Sequence, residues 1–347
     1  MSKRRSVHLG KFLLIFVALV AMYSCGQKEH KRTAPVARKA NITLKGKTIE
    51  TNALKQLSDY GFFKGQLAEL NPSEHVYPYA INTPLFSDYA QKARFIYLPN
   101  GKQMDFNPNG PLDFEDGAIL IKNFYYPKDE RNPVAGLRII ETRLLMKEKG
   151  EWNPLNYLWN EAQTEANLDY VGKSVAVNWI NPDGVIKKID YVVPNQNQCK
   201  NCHNANNKIV PIGLTAAQLN QRYRSLQEDI NQLDYFKQVG ILKGLSTAEL
   251  HDKMPAWNDV LTASVEERAK AYLDANCAHC HSAQGSAKNS GLYLNYHEND
   301  QRKRGVFKPP IAAGKGSGDH QYDIVPGKPE ESIFMYRMKS NDPAIRM

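Results

Sequence analysis

No apolar run in the 347-residue sequence reaches the roughly 20 residues that a bilayer-spanning helix requires. The best, Phe12 to Met22, suits the h-region of an export signal behind basic Lys3, Arg4 and Arg5. A retained N-terminal anchor is the alternative, and it too would put the folded part outside the cytoplasm. Charge of one sign is also in short supply. Of the formal +9, four units belong to Lys3, Arg4, Arg5 and Lys11 of the leader, which leaves +5. That residue of charge does not support a nucleic-acid partner. Gly314-Lys315-Gly316-Ser317-Gly318 lacks the spacing of a phosphate-binding loop and the strand that should precede one. Cysteine is scarce, with only five in the chain. Composition is otherwise that of a globular protein, 42% hydrophobic and 23% charged, and a sizeable core is expected.

The leader ends at Met22-Tyr23-Ser24-Cys25-Gly26, which resembles a bacterial lipobox, so Cys25 is the expected site of lipidation and the lipid membrane an expected partner. Gly26 to about Lys45 is polar and basic without an apolar period, the pattern of a tether. From about Ile49 to Val193 β-branched and aromatic runs dominate. Lys92–Leu98 and Lys102–Phe106 flank Asn100-Gly101 and predict a hairpin, and Pro182-Asp183-Gly184 predicts another between Val175–Ile180 and Val185–Val193. Past Val193 the texture turns helical. Thr215-Ala216-Ala217-Gln218 reads as a capping box followed by Leu219, Tyr223, Leu226, Ile230 and Leu233 at helical spacing. Ser264-Val265-Glu266-Glu267 opens a second helix to about Asn276, with Val265, Ala269, Tyr272 and Leu273 on or near one face.

The other four cysteines decide the chemistry. Cys199-Lys200-Asn201-Cys202-His203 and Cys277-Ala278-His279-Cys280-His281 share the Cys-x-x-Cys-His spacing of covalent c-type haem attachment. Two thiols so spaced reach the two vinyl groups on one porphyrin edge, and the adjacent His is held against the iron as its axial ligand. A zinc site would bring the pairs within about 15–20 residues, whereas 75 positions separate Cys202 from Cys277. A thioredoxin-like pair would need a βαβ setting that neither site has. Two haem c groups are therefore expected, with Cys199, Cys202, Cys277 and Cys280 as attachment points and His203 and His281 as axial ligands. Their propionates would bring the net charge near neutral. His279, His251, His297 and His320 read as surface residues, and Glu115, Asp116 and Glu161 as exposed turn residues, so no catalytic residue is assigned.

The second motif, behind its capped helix, looks like the start of a class I cytochrome c domain. The expected fold is α+β and multidomain: an N-terminal antiparallel β-rich, sandwich-like domain, then a mostly α-helical cytochrome c-type haem region. The expected boundaries are 1–24 signal peptide, 25–48 tether, 49–193 β-rich domain, 194–258 first haem-binding helical region and 259–347 class I cytochrome c-like domain. The chain is similar to a family of largely uncharacterised bacterial dihaem c-type cytochrome lipoproteins. The similarity rests on Thr83-Pro84-Leu85-Phe86-Ser87-Asp88-Tyr89, Glu141-Thr142-Arg143, Tyr157-Leu158-Trp159-Asn160, Pro194-Asn195-Gln196-Asn197-Gln198-Cys199 and the second motif.

The resemblance implies an electron-transfer protein of the periplasm or outer membrane with redox partners in the cell envelope, and it names no small-molecule substrate. A dihaem peroxidase or small-molecule oxidase, with open coordination at the first haem, is the alternative. Met254 and, more weakly, Met146 are candidates for the sixth position there. At the second haem the family resemblance points to a Met in a loop behind the Glu331–Lys339 helix, here Met347, 66 positions after His281, with Met338 second. Because Met347 is the final residue and no further helix covers Val265, Ala269 and Leu273, a chain truncated at its C-terminus is expected.

Overall fold

The computed structural model describes residues 40–44, 47–51, 53–223, 230–246, 253–311 and 314–347. Within Met1–Asn52, strands β1 (Ala40–Leu44) and β2 (Lys47–Thr51) pair antiparallel, Ala40 opposite Thr51, and β1 lies inside the span read as tether. Cys25 and His251 fall outside the described residues.

In Ala53–Met347 the organising element is a six-stranded antiparallel sheet. Its strands are β3 (Val76–Tyr79), β4 (Gln91–Tyr97), β5 (Ile119–Pro127), β6 (Leu137–Glu148), β7 (Glu151–Trp159) and β8 (Ala166–Asp169). Their spatial order is β8-β7-β6-β5-β4-β3. Strand side chains alternate between faces. Phe95, Ile119, Ile121, Leu144, Leu155 and Tyr157 therefore belong to one layer, which buries Ala53, Leu57, Phe62 and Leu70 of the preceding segment. The opposite face carries two apolar clusters. Ile96, Leu120, Leu145 and Trp152 pack on Leu214, Leu219, Tyr223, Leu233 and Phe236. Phe124, Tyr126 and Ile140 pack on the hairpin β9 (Lys173–Ile180) and β10 (Ile186–Val193) through Val177, Trp179, Tyr191 and Val193. Each buried Leu or Phe contributes about 1.5–3 kcal/mol of transfer free energy. Between the two clusters runs a strip of positive residues that becomes the floor of a cavity.

The hairpin predicted at Pro182-Asp183-Gly184 forms, with Ile180 opposite Ile186. The one predicted at Asn100-Gly101 does not. The chain turns there, with the Lys102 amide donating to the Pro99 carbonyl at 2.9 Å. But both edges of β4 are already taken, by β3 and β5, and Met104–Asp105 pairs with Asp113–Phe114 and Leu242–Lys243 instead.

The expected mostly α-helical region after residue 194 is overturned. Among the described residues its α-helices are α1 (Gln196–Cys202), α2 (Ala216–Leu219), α3 (Gln232–Gln238), α4 (Val265–Leu273) and α5 (Ile333–Lys339), none longer than nine residues. Sheet, not helix, dominates the described chain, and turns and short 3-10 segments join these helices. The physical reason is visible at α2. Its Thr215 cap forms as predicted, but the helix stops at Asn220, and the Asn231 side chain both caps α3 and donates to Asn220 Oδ1 at 2.7 Å. Asn side chains compete with helical hydrogen bonding in this way. The Tyr223 amide then donates to the Ile230 carbonyl at 2.8 Å. Leu219, Tyr223 and Leu233 are buried, with Ile230 packed against them, but no continuous helix presents them. In α4 the buried residue is Ala271, while Val265 and Ala269 are exposed.

Candidate functional site

The first motif sits on α1, which begins directly after β10. Asn195 and Gln198 close a reciprocal capping box at its start. Cys199 and Cys202 lie three residues apart, hence on one helical face. His203 caps the helix, and its Nδ1 lies 2.7 Å from the Val210 carbonyl oxygen. A carbonyl only accepts, so Nδ1 carries the proton and Nε2 keeps a free lone pair. Val210 is brought there by a small hairpin, Asn204–Ala205 against Lys208–Ile209, whose turn residues Asn206 and Asn207 both take the left-handed backbone (φ 50° and 63°). Burial, then the charge of Lys122, hold the His203 imidazole down to about 4. The ring is thus neutral, as metal ligation requires.

His203, Cys199 and Cys202 line a cavity of about 320 Å³ whose floor is the sheet. Across that floor Tyr79, Arg94, Lys122, Arg143 and Asn156 stand directly opposite one another, strand by strand, from β3 to β7. Lys92 lies two residues before Arg94 on the same face and also lines the cavity. Directly opposed like charges are destabilising. Arg143 is paired with the fully buried Glu141, which also accepts from the Tyr191 hydroxyl. Its guanidinium lies over the Phe124 ring, 4.2 Å from the centroid. Lys92 Nζ donates to the Leu85 carbonyl at 2.8 Å. Among the described residues the Nε atoms of Arg94 and Arg143 are buried without a partner, and Lys122 has no hydrogen-bond or ion-pair partner. Burial, reinforced by the neighbouring cations, pushes both Lys92 and Lys122 down to about 7. Such a row calls for a bound anion. Carboxylates at one edge of a flat, largely apolar group fit its guanidiniums and its apolar walls Leu120, Leu145, Ile212 and Leu214.

The second motif follows α4, which starts at the predicted Ser264/Glu267 capping box and passes into one wider turn, Asp274–Ala278. Such i→i+5 turns concentrate at functional sites. The His281 amide donates to the Cys277 carbonyl at 2.8 Å, and Ser290 Oγ lies 3.4 Å from His281 Nδ1. Burial holds the His281 ring below its ordinary value. Gly285 returns the loop so closely over the motif that a Cβ there would lie 2.2 Å from the Cys280 carbonyl oxygen. His281 and Met347 line one cavity of about 340 Å³, together with Lys308, Arg337 and Phe334. Met338 is 45% exposed, and Met335 lines a different cavity with His320.

The two motifs meet. The Asn206 amide donates to the Gln284 carbonyl at 2.9 Å, and Asp274 and Ala275, just before the second motif, line the first cavity. His279 does not face solvent as its position in the motif suggests. Burial opposes charge on its ring, but the nearby Cys202 and Cys280 thiols outweigh this and raise it to about 9 in the free-thiol form. Thr83 to Tyr89 threads the same junction. Thr83 Oγ1 donates to the Pro255 carbonyl at 2.8 Å, and the Phe86 amide donates to Asn276 Oδ1 at 2.7 Å.

Met254 is buried against Ala217 and Ala271, and Met146 packs on the far side of the sheet, so neither lines the first cavity. Glu115 pairs with Lys102 at 2.8 Å on the surface, and Glu161 is 95% exposed. The residues that sequence reasoning missed are Lys92, Arg94, Lys122, Arg143 and Gly285. The cations carry a signal, because each occupies an inward position of an alternating strand, as Lys122 does between Leu120 and Phe124. Among the described residues no three His, Cys, Asp or Glu side chains converge on a metal-chelating point, and no helix is long and apolar enough to cross a membrane. Compared with family models, with curated proteins and with solved structures, the chain finds no match.

Proposed function

We propose that the protein is a dihaem c-type cytochrome that passes electrons between two adjacent haems and redox partners in the cell envelope, tethered to the membrane by lipid on Cys25. The observation that carries this reading is the juxtaposition of the two Cys-x-x-Cys-His segments, each beside a cavity lined by its own His. A covalently bound haem at each site supplies a one-electron iron couple. Cys199 and Cys202 would hold one haem, and Cys277 and Cys280 the other. Val210 holds the His203 ring through Nδ1, which leaves Nε2 to ligate an iron when haem is bound, and Ser290 sits at the Nδ1 side of His281. Arg94 and Arg143 are suited to take the carboxylates of the first haem, and Lys308 and Arg337 those of the second.

An electron carrier fits better than an oxidase or peroxidase. Among the described residues the one carboxylate lining the first cavity is Asp274, at the start of the second motif, where its Oδ1 accepts the Tyr296 amide at 2.9 Å. The direct test is covalent haem content, by haem-stained denaturing gels and the pyridine haemochrome assay. The wild-type chain should carry two haems, and Cys199→Ala and Cys277→Ala one each. Absence of covalent haem from the exported wild-type protein would overturn the proposal.

A further inference from the structure

Resting on that reading, we propose that the Lys122 amine is the sixth ligand of the iron held by His203. The case begins with what lines the first cavity. Among the described residues there, no Met and no second His is present. Cys199 and Cys202 are consumed by attachment. The Asp274 carboxylate belongs to the start of the second motif and already accepts the Tyr296 amide at 2.9 Å; the other side chains with a strong donor atom are Tyr79, Lys92 and Lys122. Lys92 is committed, since its Nζ donates to the Leu85 carbonyl at 2.8 Å and lies 5.4 Å from the Phe124 ring centroid. Burial pushes the Tyr79 phenol up to about 12, so it stays protonated and is a poor ligand.

Lys122 differs from both. It occupies one of the two central strands of the sheet, with Arg94 directly opposite on one side and Arg143 on the other. Its nitrogen has no acceptor among the described residues, and it lines the same cavity as His203. An ammonium squeezed between two guanidiniums is electrostatically opposed, and a neutral amine is not. On ligation Lys122 releases one proton to solvent and donates its nitrogen lone pair, with no change of oxidation state. The like-charge row is then reduced from three cations to two. Both remaining guanidiniums stay available for carboxylates, so the same strip serves two purposes without competition.

The test is spectroscopic and uses the full-length protein with both haems attached. Electron paramagnetic resonance and the near-infrared magnetic circular dichroism band of the ferric protein distinguish histidine–amine from histidine–methionine and from high-spin iron. The wild-type protein should show one histidine–amine species among its two haems. Lys122→Arg retains charge and length but removes the donor, so that species should be lost and replaced by a high-spin or water-ligated iron, with covalent haem content still two per chain. Lys122→Met should convert it to a methionine-ligated spectrum. Two haems per chain without any histidine–amine species in the wild type, or an unchanged spectrum in Lys122→Arg, overturns the assignment while leaving the dihaem reading intact. Loss of covalent haem from the wild type would instead strike at the dihaem reading itself. Because the wild-type spectrum is decisive alone, the proposal does not depend on either variant folding.

Discussion

Arg94 and Lys122 stand directly opposite each other on adjacent strands, facing a cavity rather than solvent. Stability alone would not place them so, because opposed like charges weaken a sheet. Among the described residues the carboxylate ion-paired with this row is Glu141, which pairs with Arg143 and accepts from Tyr191.

Glu141→Ala should destabilise the protein by about 3–5 kcal/mol, the usual effect of stranding one member of a buried ion pair. Glu141→Gln retains an acceptor for Tyr191 and should lose less. Chemical denaturation midpoints of the two variants compare them directly, and a near-neutral Glu141→Ala would show that Arg143 is held by other means.

The row also makes stability pH-dependent in chain prepared without haem. Folded Lys92 titrates near 7 instead of its ordinary 10.5, chiefly through burial. Between those values the unfolded state binds more protons, so stability rises with pH, by at most about 1.4 kcal/mol per unit from this group. Below the folded value both states are protonated and the full penalty of burying the charge applies. Lys92→Met should flatten this part of the profile, as urea unfolding at pH 6, 8 and 10 would reveal.

Gly285→Ala should disturb the second site selectively. Its Cβ would fall 2.2 Å from the Cys280 carbonyl oxygen and 2.8 Å from that of His279, both backbone atoms that cannot swing aside. A loss of about 1–3 kcal/mol is expected from such overpacking. Covalent haem at the second motif should drop while the first retains its own, which peptide mass spectrometry of the two Cys-x-x-Cys segments resolves.

Met347→Ala tests the other axial position. Met347 lines the cavity of His281, and the Ile345 carbonyl beside it accepts from Arg337 Nε at 2.9 Å. The ferric methionine–iron band should disappear from one haem in this variant and persist in Met338→Ala. Its survival in Met347→Ala would rule that residue out.

What was readable in the sequence is what local geometry dictates. The cysteine pairs need only one helical turn to present both sulfurs together, so their spacing carries the chemistry wherever the chain goes. The Ser264 cap and the Pro182-Asp183-Gly184 turn are equally local, and both form. The long helix through Leu219, Tyr223 and Ile230 failed because apolar spacing reports burial, while backbone hydrogen bonding is decided by competitors such as Asn220 and Asn231. Only the tertiary structure decided which strands neighbour which. Arg94, Lys122 and Arg143 lie on β4, β5 and β6, and nothing in any one of those segments specifies the register that aligns them. The meeting of His279 with Cys202 is likewise a product of long-range packing. The sequence by itself determined the two Cys-x-x-Cys-His spacings on which the proposed haem attachment rests, because each lies within five positions. The environment of each site, including its charge, is set by contacts between distant segments, which the fold alone can bring together.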